Sequence, residues 1–158
     1  MNKPVDLIEL VEQMDMQCEE YSIFVNKANG VIFTVSADKL RDVEDGETVP
    51  PYDGYQDWEK EELRDCESII DDDDEIYVEI PSKYDIHEYS IMEEFCLSIA
   101  DNKLSDELYY AIRGNGAFRR FKDLIQRHGI ADDWYKYRDN KYREIAIEWC
   151  EENDIEYK

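Results

Sequence analysis

The sequence is organised around one basic run that two glycines interrupt: Arg113-Gly114-Asn115-Gly116-Ala117-Phe118-Arg119-Arg120-Phe121-Lys122-Asp123. After the second glycine the apolar residues fall on one side of a helical pattern and the cations fall on the other. From Arg113 to Arg127 the chain holds five Lys and Arg against one Asp, although the whole chain carries a net charge of −23. We therefore predict two helices joined by a tight turn, the second with a positive face.

Outside this basic segment, residues 113–127, the chain is acidic. Residues 1–112 hold eight Lys and Arg against thirty-one Asp and Glu, whereas residues 113–158 hold ten of each. A negative surface repels nucleic acid and anionic membranes and attracts basic protein surfaces. We therefore expect no direct nucleic-acid or membrane binding. The acidity serves either solubility alone or the docking of a basic protein partner.

The chain length fits one domain, residues 1–158, with an acidic α+β part at 1–112 and a neutral helical part at 113–158. Its apolar fraction of 42%, with twelve Tyr, five Phe and three Trp, predicts a packed core rather than an acidic disordered chain. No apolar run is long enough to span a membrane. The oligomeric state is left open by the sequence.

The four cysteines are far apart and form no Cys-x-x-Cys pair. Cys66, Cys96 and Cys150 fall on apolar faces of predicted helices, and no signal peptide precedes the first amphipathic pattern. We interpret them as reduced, buried thiols of a cytoplasmic protein.

The pattern of the N-terminal half predicts a helix over about 4–16 with Pro4 at its first position. A β-hairpin follows over 19–35, because two β-rich runs flank an Asn-Gly turn. Ser36 is placed to cap a short helix. A loop then leads to a helix over 55–70, whose inner side we predict to include Trp58.

The rest of the chain predicts a third strand over 76–80 and a helix over 86–100, which Asp85 and Glu88 begin as a capping box. Further helices follow, with Trp134, Tyr135 and Tyr137 in a connector. The predicted fold class is α+β: a small antiparallel sheet, made of the hairpin and one further strand, is covered by six or seven helices. The C-terminal third is all-helical.

The runs Gly114–Asp123 and Ile145–Asn153 are similar to a known family signature. With Gly129-Ile130 and Trp134-Tyr135, they resemble the C-terminal signature of the bacterial uncharacterised protein family numbered 158. Tyr21 to Val35 is similar to the hairpin of that family. The resemblance implies a bacterial-type intracellular protein and brings no catalytic residue with it.

The start of the basic helix is the candidate anion-binding site. Unpaired backbone N–H groups at a helix start favour anions, and neighbouring cations add charge-assisted hydrogen bonds. The candidate residues are Arg113, Gly114, Gly116, Arg119, Arg120 and Lys122. The alternative is that these cations pair with the protein's own carboxylates. The Gly-Asn-Gly run lacks the Gly-Lys-Ser/Thr ending of a P-loop.

No catalytic residue, metal site or cofactor is predicted. His87 and His128 are isolated from any cysteine pair, and the consecutive acids at 71–75 lack the alternate spacing of a Ca²⁺ loop. Three functions stay open: a non-enzymatic module that docks a basic protein, an acidic mimic that inhibits a DNA- or RNA-binding protein, and an enzyme or sensor with an anionic ligand at Arg113–Lys122.

Overall fold

The computed structural model describes residues 3–158; Met1 and Asn2, where the predicted domain begins, lie outside the described residues. Its elements are α1 Leu7–Met16, β1 Tyr21–Asn26, β2 Ile32–Ser36, α2 Ala37–Glu44, α3 Asp57–Ile70, β3 Tyr77–Glu79, α4 Lys83–Ile86, α5 Glu88–Ser98, α6 Asn102–Ala111, α7 Ala117–Arg127 and α8 Ala131–Glu152. Within this range seven helices have eight residues or more, and α4 is a single turn. The predicted α+β class is confirmed.

The three strands form one antiparallel sheet in the order β2-β1-β3. In the hairpin Ser22 lies opposite Val35, and on the other side of β1 Val25 lies opposite Val78. The third strand, β3, pairs with β1 and makes the sheet three-stranded. This pairing stabilises the hairpin, since two strands alone are marginally stable in water.

The described residues group into two compact units. The sheet unit comprises the chain up to Ser82 together with Ala146–Lys158, and the helical unit comprises Lys83–Ile145. The single domain with a division at residue 112 stays a prediction.

One face of the sheet supports the core of the sheet unit. Phe24 and Val35 are buried there with Cys66 of α3, and Leu40, Val43 and Ile69 pack against them. The Phe33 ring stacks on Phe24 with centroids 6.0 Å apart. This packing fixes α2 and α3 beside the hairpin, and these elements carry the cleft described below.

Both ends of the described chain belong to the sheet unit. Val5 N donates to the carbonyl of Glu156 at 2.8 Å, and Lys158 N donates to the carbonyl of Val5 at 3.0 Å. This short parallel bridge joins residues that are far apart in sequence, and no local pattern indicates it.

Aromatic rings form the core of the helical unit. Phe95 of α5 has its ring centroid 6.1 Å from Phe121 of α7 and 5.3 Å from Trp134 of α8. Phe121 and Trp134 meet edge to face at 4.9 Å, a preferred geometry for aromatic pairs. Three helices are thereby joined through three rings.

Two predicted helix starts are wrong. Helix α1 begins at Leu7 because the Asp6 carboxylate accepts hydrogen bonds from Ile8 N at 2.9 Å and Glu9 N at 3.3 Å, so Pro4 precedes the helix. Helix α5 has no Asp85 capping box: His87, in the left-handed conformation, precedes it.

The predicted aromatic connector is also wrong. Trp134, Tyr135 and Tyr137 lie inside α8, which runs without a break for 22 residues. Trp134 is buried and Tyr137 half-buried, whereas Tyr135 is exposed. A cluster of aromatic residues weakens helix propensity only by fractions of a kcal/mol, about 0.5 per residue, and tertiary packing overrides it.

Candidate functional site

The basic segment contains the predicted turn. Helix α6 ends at Ala111 and α7 begins at Ala117. Gly114 and Gly116 between them have φ of 76° and 78°, the left-handed region that glycine adopts without strain.

Arg120, in the first helical turn of α7, stabilises the loop between α6 and α7 through three hydrogen bonds. Its Nε donates to the carbonyl of Ala111 at 2.7 Å, its Nη2 to that of Arg113 at 2.6 Å and its Nη1 to that of Asn115 at 2.6 Å. The last carbonyls of a helix lack intrahelical N–H partners, and Ala111 is the last residue of α6. The guanidinium therefore bonds one open carbonyl of the helix end and two carbonyls of the turn. Its partners are backbone oxygens rather than carboxylates.

The other candidate cations differ from Arg120. The Arg113 guanidinium carbon lies 4.5 Å from the Tyr109 ring centre, within the range of a cation–π contact. The side chains of Arg119 and Lys122 are exposed and make no hydrogen bond or ion pair with any residue from 3 to 158. The predicted anion site stays a prediction, with one of its cations engaged by the turn.

Almost all of the excess negative charge lies in one of the two compact units, the sheet unit. The sheet unit holds seven Lys and Arg against twenty-nine Asp and Glu, a net of −22, whereas the helical unit holds eleven against twelve, a net of −1. Even if every cation of the sheet unit paired with one carboxylate, most of its carboxylates would stay unneutralised. The sheet unit is therefore a concentrated source of negative potential.

A cleft of about 420 Å³ opens on the sheet unit. We call it the Trp58 cleft, and its lining residues are Glu20, Tyr21, Ser36, Asp38, Lys39, Trp58 and Glu62. Trp58 is 61% exposed and Tyr21 52% exposed. The Trp58 Nε1 donates to Gln56 Oε1 at 3.0 Å, which holds the indole at the start of α3.

The inner side predicted for α3 was wrong at Trp58. At about 100° per residue, Trp58 lies about 140° around the helix from Leu63, which with Cys66 forms the buried side. Trp58 lies off the apolar face of α3 and beside several acids in the sequence. This position could have indicated an exposed aromatic residue at a binding surface, and sequence reasoning missed it.

A cation of the protein already occupies part of the cleft. Lys39 Nζ lies 3.0 Å from Glu62 Oε2, 3.7 Å from Glu59 Oε2 and 4.8 Å from the Trp58 ring centre. Burial disfavours the ammonium, but the Glu62 and Glu59 carboxylates outweigh it and raise the pKa of Lys39. Glu62 is itself fixed, because its Oε1 accepts from Ser36 N at 2.6 Å. The cleft therefore stabilises positive charge.

The remaining sequence candidates have structural contacts. His87 Nδ1 contacts Ser90 Oγ, and His128 Nε2 lies 3.5 Å from Glu107. Asp72 in the acid run accepts from Tyr77 N at 2.8 Å, which joins the end of α3 to β3. Over residues 3–158 no three His, Cys, Asp or Glu side chains are arranged to hold a metal ion, and no helix is long and apolar enough to cross a membrane.

These features define a small α+β protein with one strongly acidic unit. The profile of the Uncharacterised protein family (UPF0158) matches residues 55–158, about two thirds of the chain. The chain belongs to this family, which confirms the resemblance in its C-terminal runs. The match includes Trp58 and the basic segment, whereas the β-hairpin precedes it.

One similar relative is the UPF0158 protein PA5073 of Pseudomonas aeruginosa. It is 30% identical over 67 residues, which cover 42% of this chain and 44% of that protein. The aligned region thus spans less than half the length of the relative. No solved structure matches the chain.

Proposed function

We propose that the protein is a non-enzymatic binding or regulatory module whose sheet unit docks a basic protein partner. The observation that carries this proposal is the division of charge, with −22 in the sheet unit and −1 in the helical unit. A concentrated negative potential attracts a basic surface, accelerates encounter and disfavours acidic competitors.

The cysteines support a cytoplasmic place of action. All four are free thiols, and Cys18 is exposed. Burial raises the pKa of Cys66, Cys96 and Cys150 to about 11, which keeps them as unreactive thiols. A reducing compartment preserves such a set of unpaired cysteines.

A labelled basic peptide tests the proposal. The probe is a fluorescein-labelled peptide in which eight arginines alternate with glycines, and its binding is followed by fluorescence anisotropy. We expect binding at 50 mM salt and a loss of about tenfold in affinity at 300 mM, because salt screens exposed charges. A variant with Glu61→Gln, Asp73→Asn and Asp74→Asn should lose about three- to tenfold, since each exposed pair contributes about 0.2–1 kcal/mol.

The matched control removes the same charge from the helical unit. It carries Asp106→Asn, Asp123→Asn and Asp139→Asn, all at exposed positions, and should bind within twofold of the wild type. Equal losses in the two variants, or no binding of the wild type at 50 mM salt, would contradict the proposal. Thermal unfolding of both variants checks that the comparison is between folded proteins.

A further inference from the structure

The Trp58 cleft presents an aromatic surface that the packing of the sheet unit leaves open. Trp58 is 61% exposed, whereas Trp134 is only 4% exposed. Leaving a large indole in water forgoes the free energy of its burial. Trp and Tyr are enriched among the residues that dominate binding energy in interfaces, and Trp58 and Tyr21 both line this cleft with exposed side chains.

Lys39 shows how this cleft holds a positive charge. Its ammonium has the Glu62 carboxylate at 3.0 Å and the Trp58 ring centre at 4.8 Å. The combination of carboxylate and π-face is the chemistry that binds lysine and arginine side chains. Lys39 covers only part of the indole, because more than half of the residue still reaches solvent.

The cleft retains negative charge beyond what Lys39 neutralises. Glu20, Asp38 and Glu62 line it together with that one lysine. Glu20 and Asp38 are exposed. Within residues 3–158 the Asp38 carboxylate pairs with one cation, Arg41 one turn further along α2, at 3.5 Å. The carboxylates therefore complement a further cation that approaches from solvent.

We propose that the Trp58 cleft receives an arginine side chain of the basic partner, an inference that rests on the proposed function. The guanidinium stacks on the open part of the indole and pairs with the carboxylates of Glu20 and Asp38. Arginine suits this cleft better than lysine, because its planar group stacks on aromatic faces, forms bidentate pairs with carboxylates and is more weakly hydrated. A cleft of about 420 Å³ is at the small end of ligand pockets, which fits one side chain.

Two peptides of equal charge test this inference. Each has four cations separated by glycines, with arginine in one and lysine in the other, and binding is measured by anisotropy at 50 mM salt. The wild type should bind the arginine peptide about fivefold more tightly. Trp58→Ala should remove this preference and leave the affinity for the lysine peptide within twofold. Trp58→Phe, which keeps an aromatic face, should retain part of the preference.

The matched control is Tyr84→Ala, which removes an 87% exposed aromatic side chain from the helical unit and should leave the preference intact. A second pair of variants changes the charge near the indole. Lys39→Gln removes the resident ammonium and should tighten binding of the arginine peptide about threefold, whereas Lys27→Gln, with the same change in net charge, should have less than half that effect.

The outcomes separate this inference from the proposed function. If the wild type binds both peptides equally, or if Trp58→Ala keeps the arginine preference, the arginine subsite is wrong while binding itself still supports the acidic docking surface. If neither four-cation peptide binds while the eight-arginine peptide does, the arginine subsite alone is wrong; if none of the three peptides binds, both proposals fail. Sedimentation of the protein alone gives a third outcome: a dimer that Trp58→Ala dissociates would assign the cleft to a second copy and overturn the inference.

Discussion

Arg120 and Gly116 are in close contact, so a side chain at position 116 would push the guanidinium aside by a few tenths of an ångström. A Cβ at Gly116 would lie 3.0 Å from Arg120 Nη1, the atom that donates to the carbonyl of Asn115. Glycine is favoured here because it adopts a φ of 78° without strain and leaves the guanidinium in place. The most distinctive run of the sequence thus has a structural role at Arg120, whatever its exposed cations bind.

The first prediction concerns Arg120 itself. Arg120→Ala should lower the free energy of unfolding by about 1–3 kcal/mol, because three backbone carbonyls lose a charged donor at a solvent-exposed site. Urea unfolding measures the loss. Arg119→Ala, the neighbouring exposed arginine, should change stability by less than about 0.5 kcal/mol. Equal effects at the two positions would show that the turn does not depend on this guanidinium.

The second prediction compares the two glycines. Gly114→Ala and Gly116→Ala share the strain of a positive φ, which costs about 1–2 kcal/mol. At Gly114 a Cβ meets nothing within 4 Å, so only Gly116→Ala also disturbs Arg120. Gly116→Ala should therefore be the more destabilising in urea unfolding. In an Arg120→Ala background this difference should vanish; its persistence would place the extra cost elsewhere.

The sheet and most helices could be predicted because their signals are local. Ser36 accepts a hydrogen bond from Lys39 N as predicted for a helix cap, and Asn153 Nδ2 donates to the Trp149 carbonyl just after α8 ends. The bridge between Val5 and Tyr157 has no local signal, since its partners are separated by almost the whole chain.

The site was less predictable for a related reason. Charge counts identified the acidic part, but a count does not show where carboxylates converge. The Trp58 cleft draws Tyr21 from β1, Lys39 from α2 and Trp58 from α3, and only the packed hairpin brings them together. Likewise, the sequence offered carboxylates or external anions as partners for Arg120, and backbone carbonyls were not among the alternatives.

The third prediction concerns thiol reactivity. Cys18 is exposed, and the other three cysteines are buried. In a disulfide exchange assay at pH 8 one thiol should react fast, and three should react only as the protein unfolds, because thiolate formation and access are both suppressed by burial. Cys18→Ser should abolish the fast phase. A fast thiol that remains in that variant would contradict the burial of Cys66, Cys96 or Cys150.

The fourth prediction concerns Tyr52, whose buried hydroxyl donates to Glu67 Oε2 at 2.7 Å. Burial first, and the Glu67 carboxylate second, raise the pKa of Tyr52 from 10.0 to about 12. The folded state thus favours the protonated phenol. The contribution of the Tyr52 phenol to the free energy of unfolding is complete below pH 10 and is lost as the pH rises through about 12.

Tyr52→Phe should therefore cost about 1 kcal/mol at pH 8, the net value of one hydrogen bond. The stability difference from the wild type should shrink between pH 10 and 12. The buried cysteines titrate in both proteins, so their effect cancels when the two free energies of unfolding are subtracted. The remaining pH dependence is that of Tyr52. A difference that stays constant over this range would contradict the raised pKa.

A map of amide chemical shifts, recorded as the arginine peptide is added to the ¹⁵N-labelled protein, tests directly whether the sheet unit is the docking surface. The amide shifts should concentrate in the sheet unit around Tyr21, Lys39 and Trp58, and those of Arg119 and Lys122 in the helical unit should stay unchanged. Shifts centred on the helical unit, or spread evenly over both units, would contradict the proposed docking surface.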